Sequence, residues 1–193
     1  MMTKVLLLFS GGLDSMLLAE RAMNDKRVEL HTLFFRYPHP AASREYQAVA
    51  DWLRRWRVAG RAVNHREVYL PIIAQQLAAG VGVAGARVTP ARNLAMVSVA
   101  ANVAAGIGAE QLWLGACADD AADYPDCRPD WVATVRGLLE PWGVELAAPL
   151  VQTTKAEIMA EAKALGLSGW WSCYQPSGLK PCGQCNSCVA NAT

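Results

Sequence analysis

Residues 4–15 read Lys4-Val-Leu-Leu-Leu-Phe9-Ser10-Gly11-Gly12-Leu13-Asp14-Ser15, and this stretch decides the fold. Its first half is an unbroken apolar run that stops at glycines, the pattern of a strand buried on both faces of a parallel sheet. From Leu13 to about Met23 apolar residues recur at helical spacing (Leu13, Met16, Leu17, Met23), and a second strand candidate follows at Val28 to Phe35. The unit is therefore strand, helix, strand. Two glycines at the handover let the backbone turn tightly, so that amide N–H groups converge at a positive helix terminus, while Ser10 and Ser15 add hydroxyls. Such a turn suits a phosphate or pyrophosphate. It lacks the Gly-Lys-Ser/Thr ending of a Walker loop and is not the Gly-x-Gly-x-x-Gly dinucleotide fingerprint. The plain alternative is a glycine turn in which Asp14 or Ser15 merely caps a helix.

Outward from this unit the alternation continues. Ala42 to Val58 reads as a helix, Arg61 to Leu70 as a strand, Arg92 to Ile107 as an Ala-rich buried helix and Gln111 to Ala116 as a strand. Asp130 to Leu139 and Lys155 to Leu165 read as helices flanking an extended segment near Val144 to Leu150. This order predicts an α/β fold with a doubly wound, mostly parallel sheet, whose ligands sit at the carboxyl ends of the strands.

The chain has 193 residues, enough for one core with a small appendage. It is 53% hydrophobic and 18% charged, which excludes a disordered chain. With 18 Lys and Arg against 17 Asp and Glu, the net charge of +1 offers no field for a polyanion, so nucleic acid is not an expected partner. No apolar run reaches the roughly 18–20 residues of a membrane span, and Val5 to Phe9 runs into Ser-Gly-Gly, so neither a membrane anchor nor a signal peptide is expected and the expected location is cytoplasmic.

Two basic residues stand where a helix dipole disfavours them. Arg92 and Asn93 open the helix after Thr89-Pro90, and Lys155 lies just inside a helix whose start resembles a capping box, Thr154 with Glu157. An anion at the strand ends would reverse the sign of that interaction, which marks Arg92 and Lys155 as candidate ligands of a phosphate or carboxylate; the alternative is that both are solvated. Arg54, Arg55, Arg57 and Arg61 read instead as a solvated helix face. The loop after Gln111–Ala116 carries Asp119, Asp120, Asp123, Tyr124, Asp126, Cys127 and Arg128. Its carboxylates suit Mg²⁺, or the hydrogen-bonding edge of a purine, or simply a polar loop. Cys127 fits either a buried apolar thiol or a reactive one.

Four of the six cysteines, Cys173, Cys182, Cys185 and Cys188, lie in the last 21 residues. They match a closed tetrahedral zinc site that would order a tail poor in apolar surface; an iron–sulfur cluster is the rival and disulfides are not expected. The expected division is a nucleotide-binding domain over 1–168 and a metal-binding tail over 169–193. Trp170 and Trp171 read as packing against that tail.

Ser-Gly-Gly-x-Asp-Ser after a first strand resembles the motif of the PP-loop ATP pyrophosphatase superfamily, whose members cleave ATP between the α and β phosphates and leave a substrate oxygen adenylated. That resemblance implies an ATP site over Phe9, Ser10, Gly11, Gly12, Leu13, Asp14, Ser15 and Met16, with Asp14, Ser15 and Lys155 in the catalytic role. Arg92-Asn93, Tyr124-Pro-Asp-Cys-Arg-Pro129 and the tail stretches Trp171-Ser-Cys-Tyr and Pro181-Cys-Gly-Gln-Cys-Asn-Ser-Cys are together similar to the 7-cyano-7-deazaguanine synthases, from the turn near residue 10 to Cys188. Those enzymes convert 7-carboxy-7-deazaguanine and ammonia to the nitrile with ATP. The resemblance implies Arg92, Asn93, Asp119, Asp120, Tyr124, Asp126 and Arg128 as substrate residues, with ATP beside the Mg²⁺ and Zn²⁺ that the acidic loop and the cysteines suggest; the apolar surface of a small, Ala-rich, Trp-containing domain makes a homodimer the expected assembly. One loop departs from the family: where Tyr-Gly-Gln-x-His is usual, this chain has Tyr37-Pro38-His39-Pro40 and then Glu45, and it is also short around 71–88. A paralogue that attaches a deazaguanine to a macromolecule, or stops at the amide, therefore stands as an alternative, and a non-catalytic zinc module binding RNA or protein as a third.

Overall fold

The structure is a computed structural model and describes residues 2–70 and 89–190. The chain runs β1 (Thr3–Leu8), α1 (Leu13–Asn24), β2 (Val28–Arg36), α2 (Ala42–Val58), β3 (Asn64–Tyr69), α3 (Arg92–Ile107), β4 (Gln111–Trp113), α4 (Pro129–Leu139), β5 (Glu145–Ala147), α5 (Lys155–Ala164) and α6 (Asn186–Ala190). Its five-stranded sheet has the order β3-β2-β1-β4-β5 with every pairing parallel. This is the expected doubly wound architecture. The chain leaves β1 toward one edge and returns through α3 to pair β4 on β1's other side, so the strand order reverses between β1 and β4. A crevice opens at such a switch point, outside the carboxyl ends of the strands.

The apolar run of β1 explains its central place. Val5, Leu6 and Leu7 are fully buried, and successive side chains serve opposite faces. Leu7 packs with Leu13, Leu17, Trp52, Trp56 and Ile158 on the face covered by α1, α2 and α5; Leu6 packs with Leu33, Val97, Ala104, Leu112 and Leu139 on the face covered by α3 and α4.

Several expectations shift. α3 buries one face only, through Val97, Ala100, Ala101 and Ala104, while Leu94 is exposed; its alanines permit close approach to the sheet rather than burial all round. β4 and β5 are three residues each: after β4 the chain turns through Leu114, Gly115 and Ala116, which wall the crevice, and after β5 it turns with Ala148 and Leu150 in the core. β3 starts at Asn64, since Arg61 turns back to pair with the nearly buried Glu20 at 2.6 Å. The basic cluster on α2 is only partly a solvated face: Arg55 donates to the Ser168 carbonyl at 2.7 Å and tethers the chain entering the tail. The short stretch around 71–88 lies outside the described residues. Among the described residues no helix is long and apolar enough to cross a membrane.

Candidate active site

A cavity of about 540 Å³ occupies the switch point. Its floor is the glycine turn. Gly11 has φ +79°, and a Cβ there would meet the Glu45 carbonyl and a Val49 methyl at 3.1 Å, so only glycine lets the turn seat against α2. Ser15 Oγ donates to the Gly12 carbonyl at 3.0 Å, and the Gly12 amide donates to Ser10 Oγ at 3.3 Å. Gly115, beyond β4, is the other close approach: a Cβ there would stand 3.3 Å from the Ser15 amide nitrogen.

Helix termini around the cavity differ in a way that matters. α1 has Gly12 as its N-cap and no side-chain cap, and α3 likewise starts from Ala91 without one. α5 is closed by a complete capping box, with Thr154 accepting from the Glu157 amide and Glu157 accepting from the Thr154 amide, and Asp119 accepts from the Lys155 amide. First-turn amides with no partner of their own attract anions. The starts of α2 and α4 also lack side-chain caps, so what sets α1 and α3 apart is that Asp14 and Ser15 in the one, and Arg92 and Asn93 in the other, line the cavity from the first turn.

Lys155 Nζ lies 2.9 Å from both carboxylate oxygens of Asp14, bridging α5 to the first turn of α1. Burial raises the Asp14 carboxyl above its ordinary value although the Lys155 ammonium pulls it down. Burial also works against the Lys155 charge, but Asp14 and then Asp120 outweigh it and hold the ammonium above the lysine norm. Asp120 accepts the Cys117 thiol at 3.2 Å. Burial and the Asp120 charge push Cys117 up to about 11, and burial with the same charge raises Cys127 further, so both are thiols rather than thiolates.

The opposite wall is built on Arg92. Ala91 adopts a left-handed conformation, φ 56°, which costs a side-chain-bearing residue about 1–2 kcal/mol and swings Arg92 into the cavity. Desolvation opposes the guanidinium charge, but the phenols of Tyr37 and Tyr174 and the carboxylates of Glu45 and Asp126 hold it above the arginine norm. Tyr124 and Tyr174 hydrogen-bond to each other beside it.

Of the residues marked in the sequence, the cavity is lined by Phe9, Ser10, Gly12, Asp14, Ser15, Arg92, Asn93, Asp119, Asp120, Tyr124 and Lys155. Gly11, Leu13, Met16, Asp126 and Arg128 lie outside the lining; Leu13 and Met16 are core residues, and Arg128 donates to the Ala121 carbonyl at 3.0 Å. Residues not singled out as ligands also line it, notably Tyr37, Glu45, Trp171 and Tyr174. Trp171 does more than pack on the tail: its amide donates to the Gly11 carbonyl at 2.9 Å, and the Arg44 guanidinium lies over its ring at 4.5 Å. No local periodicity marks these positions, which are brought in by contacts distant in sequence.

The four tail cysteines place their sulfurs within 4.8 Å of one another, Cys182 and Cys188 at 3.9 Å. Sulfurs about 2.3 Å from a single tetrahedral zinc stand at such separations. A cubane, with four irons between the thiolates, needs a wider cage. Hydrogen bonds from the Gln184 and Cys185 amides pull the Cys182 thiol down to about 6, a thiolate suited to a metal.

A family model described as "Queuosine biosynthesis protein QueC" matches residues 4–193. The 7-cyano-7-deazaguanine synthase of Marinobacter nauticus is 33% identical over 205 residues, spanning 98% of this chain and 90% of its own. That of Chromohalobacter salexigens is 33% identical over 201 residues, spanning 96% and 79%. Among solved structures, the U34-tRNA thiolase NcsA from Methanococcus maripaludis with its 4Fe–4S cluster superposes with a TM-score of 0.60 at 16% identity, over 99% of this chain and 65% of the thiolase. A 4-thiouridine synthetase in complex with RNA and ATP gives 0.53 at 23% identity, over 85% of this chain and 41% of the synthetase. These two share the fold.

Proposed function

The chain belongs to the QueC family of queuosine biosynthesis proteins, and from that membership we propose that it converts 7-carboxy-7-deazaguanine, ammonia and ATP to 7-cyano-7-deazaguanine through an adenylated carboxylate. The observation that carries this reading is that one cavity is lined at once by the glycine turn with Ser10 and Ser15, by Lys155 paired with Asp14, and by Arg92 and Asn93. ATP fits at the glycine turn, which a Cβ on Gly115 would crowd at the Ser15 amide. The substrate carboxylate fits beside Arg92 and Asn93.

In this reading the amides of the Ser10–Ser15 turn and the Ser10 and Ser15 hydroxyls bind the phosphates that leave as pyrophosphate. Lys155, held charged by Asp14, stabilises the negative charge that grows on them, in a site preorganised before reaction. Arg92 orients the carboxylate toward the α-phosphorus. Asp119, Asp120 and Asp123 add a concentration of carboxylates beside the turn that suits Mg²⁺, which would neutralise phosphate charge when bound. Zinc fits the four-cysteine cage and would serve structure. Ammonia then displaces AMP to give the amide; a second adenylation, on the amide oxygen, lets AMP leave with that oxygen and gives the nitrile.

Incubation with ATP, ammonium and 7-carboxy-7-deazaguanine, with product masses and pyrophosphate recorded, is expected to yield the nitrile with two pyrophosphates per turnover. Pyrophosphate release with an amide as the end product supports instead the paralogue that stops early, a reading favoured only by the Tyr37–Pro40 loop.

A further inference from the structure

The departure at Tyr37-Pro38-His39-Pro40 builds something specific. Pro38 and Pro40 fix their own φ, and each restricts the residue before it, so all four positions are conformationally narrowed. The result stacks the His39 ring on the Tyr37 ring, centroids 4.3 Å apart and 24° from parallel. His39 Nε2 then lies 3.4 Å from Glu45 Oε2, with only 9% of the His39 side chain exposed. Glu45 itself lines the cavity one turn into α2, and its backbone carbonyl abuts Gly11 of the phosphate turn. Tyr37 also hydrogen-bonds Arg92, which places the pair beside the wall where the substrate carboxylate is read. Of the cavity's other carboxylates, Asp14, Asp119 and Asp120 are engaged with Lys155 or Cys117. Glu45, which stands near enough to Arg92 to help hold its charge, faces a near-buried imidazole, the arrangement of a base and the group that orients it.

We propose that Glu45 is the general base for nitrogen in this reaction and that His39 is its positioning residue, donating Nε2–H to one carboxylate oxygen so that the other serves the cavity. The inference rests on the ammonia-using reading above. When ammonium meets the acyl adenylate, nitrogen gives up one proton to become a nucleophile. Its lone pair forms the C–N bond, the carbonyl C–O bond to AMP breaks with its electron pair staying on AMP, and nitrogen gives up a second proton to leave the neutral amide. Glu45 accepts these protons in turn and releases them to solvent. Elimination of AMP from the adenylated amide removes the last N–H protons as the triple bond forms.

The test compares ammonium with hydroxylamine, which is unprotonated at neutral pH and traps acyl adenylates as hydroxamates without a base. For Glu45→Gln the ratio of ammonium-derived product to hydroxamate is expected to fall about 100-fold or more. For His39→Ala it should fall about 10-fold, and His39→Gln, which keeps a donor, should recover most of the loss. Glu45→Asp, which shortens the reach, provides a second variant should Glu45→Gln fold poorly, and its ratio should fall in the same direction. An unchanged ratio in folded Glu45 variants overturns the proposal, as does equal loss in His39→Ala and His39→Gln. A wild-type protein that makes pyrophosphate and hydroxamate but no ammonium-derived product refutes the base while sparing adenylation; one that makes neither refutes the parent reading, and this one with it.

Discussion

At the scale of single residues, Lys155 is the clearest case of a side chain whose stability and chemistry are joined. It carries only 15% exposure and pairs with an Asp14 that carries 19%, so removing one partner strands the other's charge in the protein. Lys155→Met is expected to lower unfolding free energy by about 3 kcal/mol, the lower end of the range for broken buried pairs, measured by urea denaturation. Adding Asp14→Asn to that variant should return much of the loss, whereas pyrophosphate release should stay absent in both. A double variant no more stable than the single one would show that Asp14 is not penalised by standing alone. Lys155 was legible in the sequence because a cation in a first turn needs a reason. Glu45 and Tyr174 gave no such sign: a glutamate in a helix and a tyrosine near cysteines are ordinary locally, and only packing across the molecule turns them toward one space.

Among elements, α5 tests the contrast between capped and open helix starts. Thr154→Ala should cost about 1 kcal/mol. Glu157 adds a pH dependence of known sign. Bonds from the Thr154 amide and hydroxyl hold its carboxyl below the usual glutamate value, so its stabilisation is present above the unfolded value of 4.5 and is lost as pH falls through the lower folded one. The melting temperature of Glu157→Gln should therefore lie below wild type at pH 7 and converge with it in acid; a constant gap across that range would mean the charge is irrelevant. The bounds of α2 and α3 are legible to the residue, α2 by amphipathic spacing and α3 by an Ala-rich run after Thr89-Pro90, although α3 is not buried all round as that run suggests. β4 and β5 are shorter than their apolar runs suggest, since residues that wall a crevice beyond β4, or fill the core beyond β5, look in sequence like residues that pair in a sheet.

For the molecule as a whole, the tail and the first turn form one mechanical unit. Cys173 lies two residues beyond Trp171, whose indole Nε1 donates to the Cys173 carbonyl at 2.9 Å and whose amide holds Gly11. In the proposed reading, a metal bound by the cysteines would order the glycine turn through this bond. Cys182→Ser, or treatment with a strong chelator, should abolish bound metal by elemental analysis and weaken ATP binding about 10-fold by calorimetry, with the sheet's melting largely retained. Undiminished ATP affinity in metal-free protein would uncouple the two. The cysteine cage was legible from spacing alone, whereas its tie to Gly11 was not, because a backbone amide leaves no mark on residue identity.

That same Trp171 amide sets a schedule. Gly11 is made early and waits through 160 residues, from 11 to 171, for its partner. At roughly 5–20 residues per second a ribosome spends about 10–30 s on that stretch. During that interval a nascent chain carries β1 and the glycine turn without the bond that braces it, and prematurely ended chains never acquire it. In the proposed reading, a chain released before Trp171 lacks the bond that braces the nucleotide turn, so it is expected to hold ATP poorly and not to spend it.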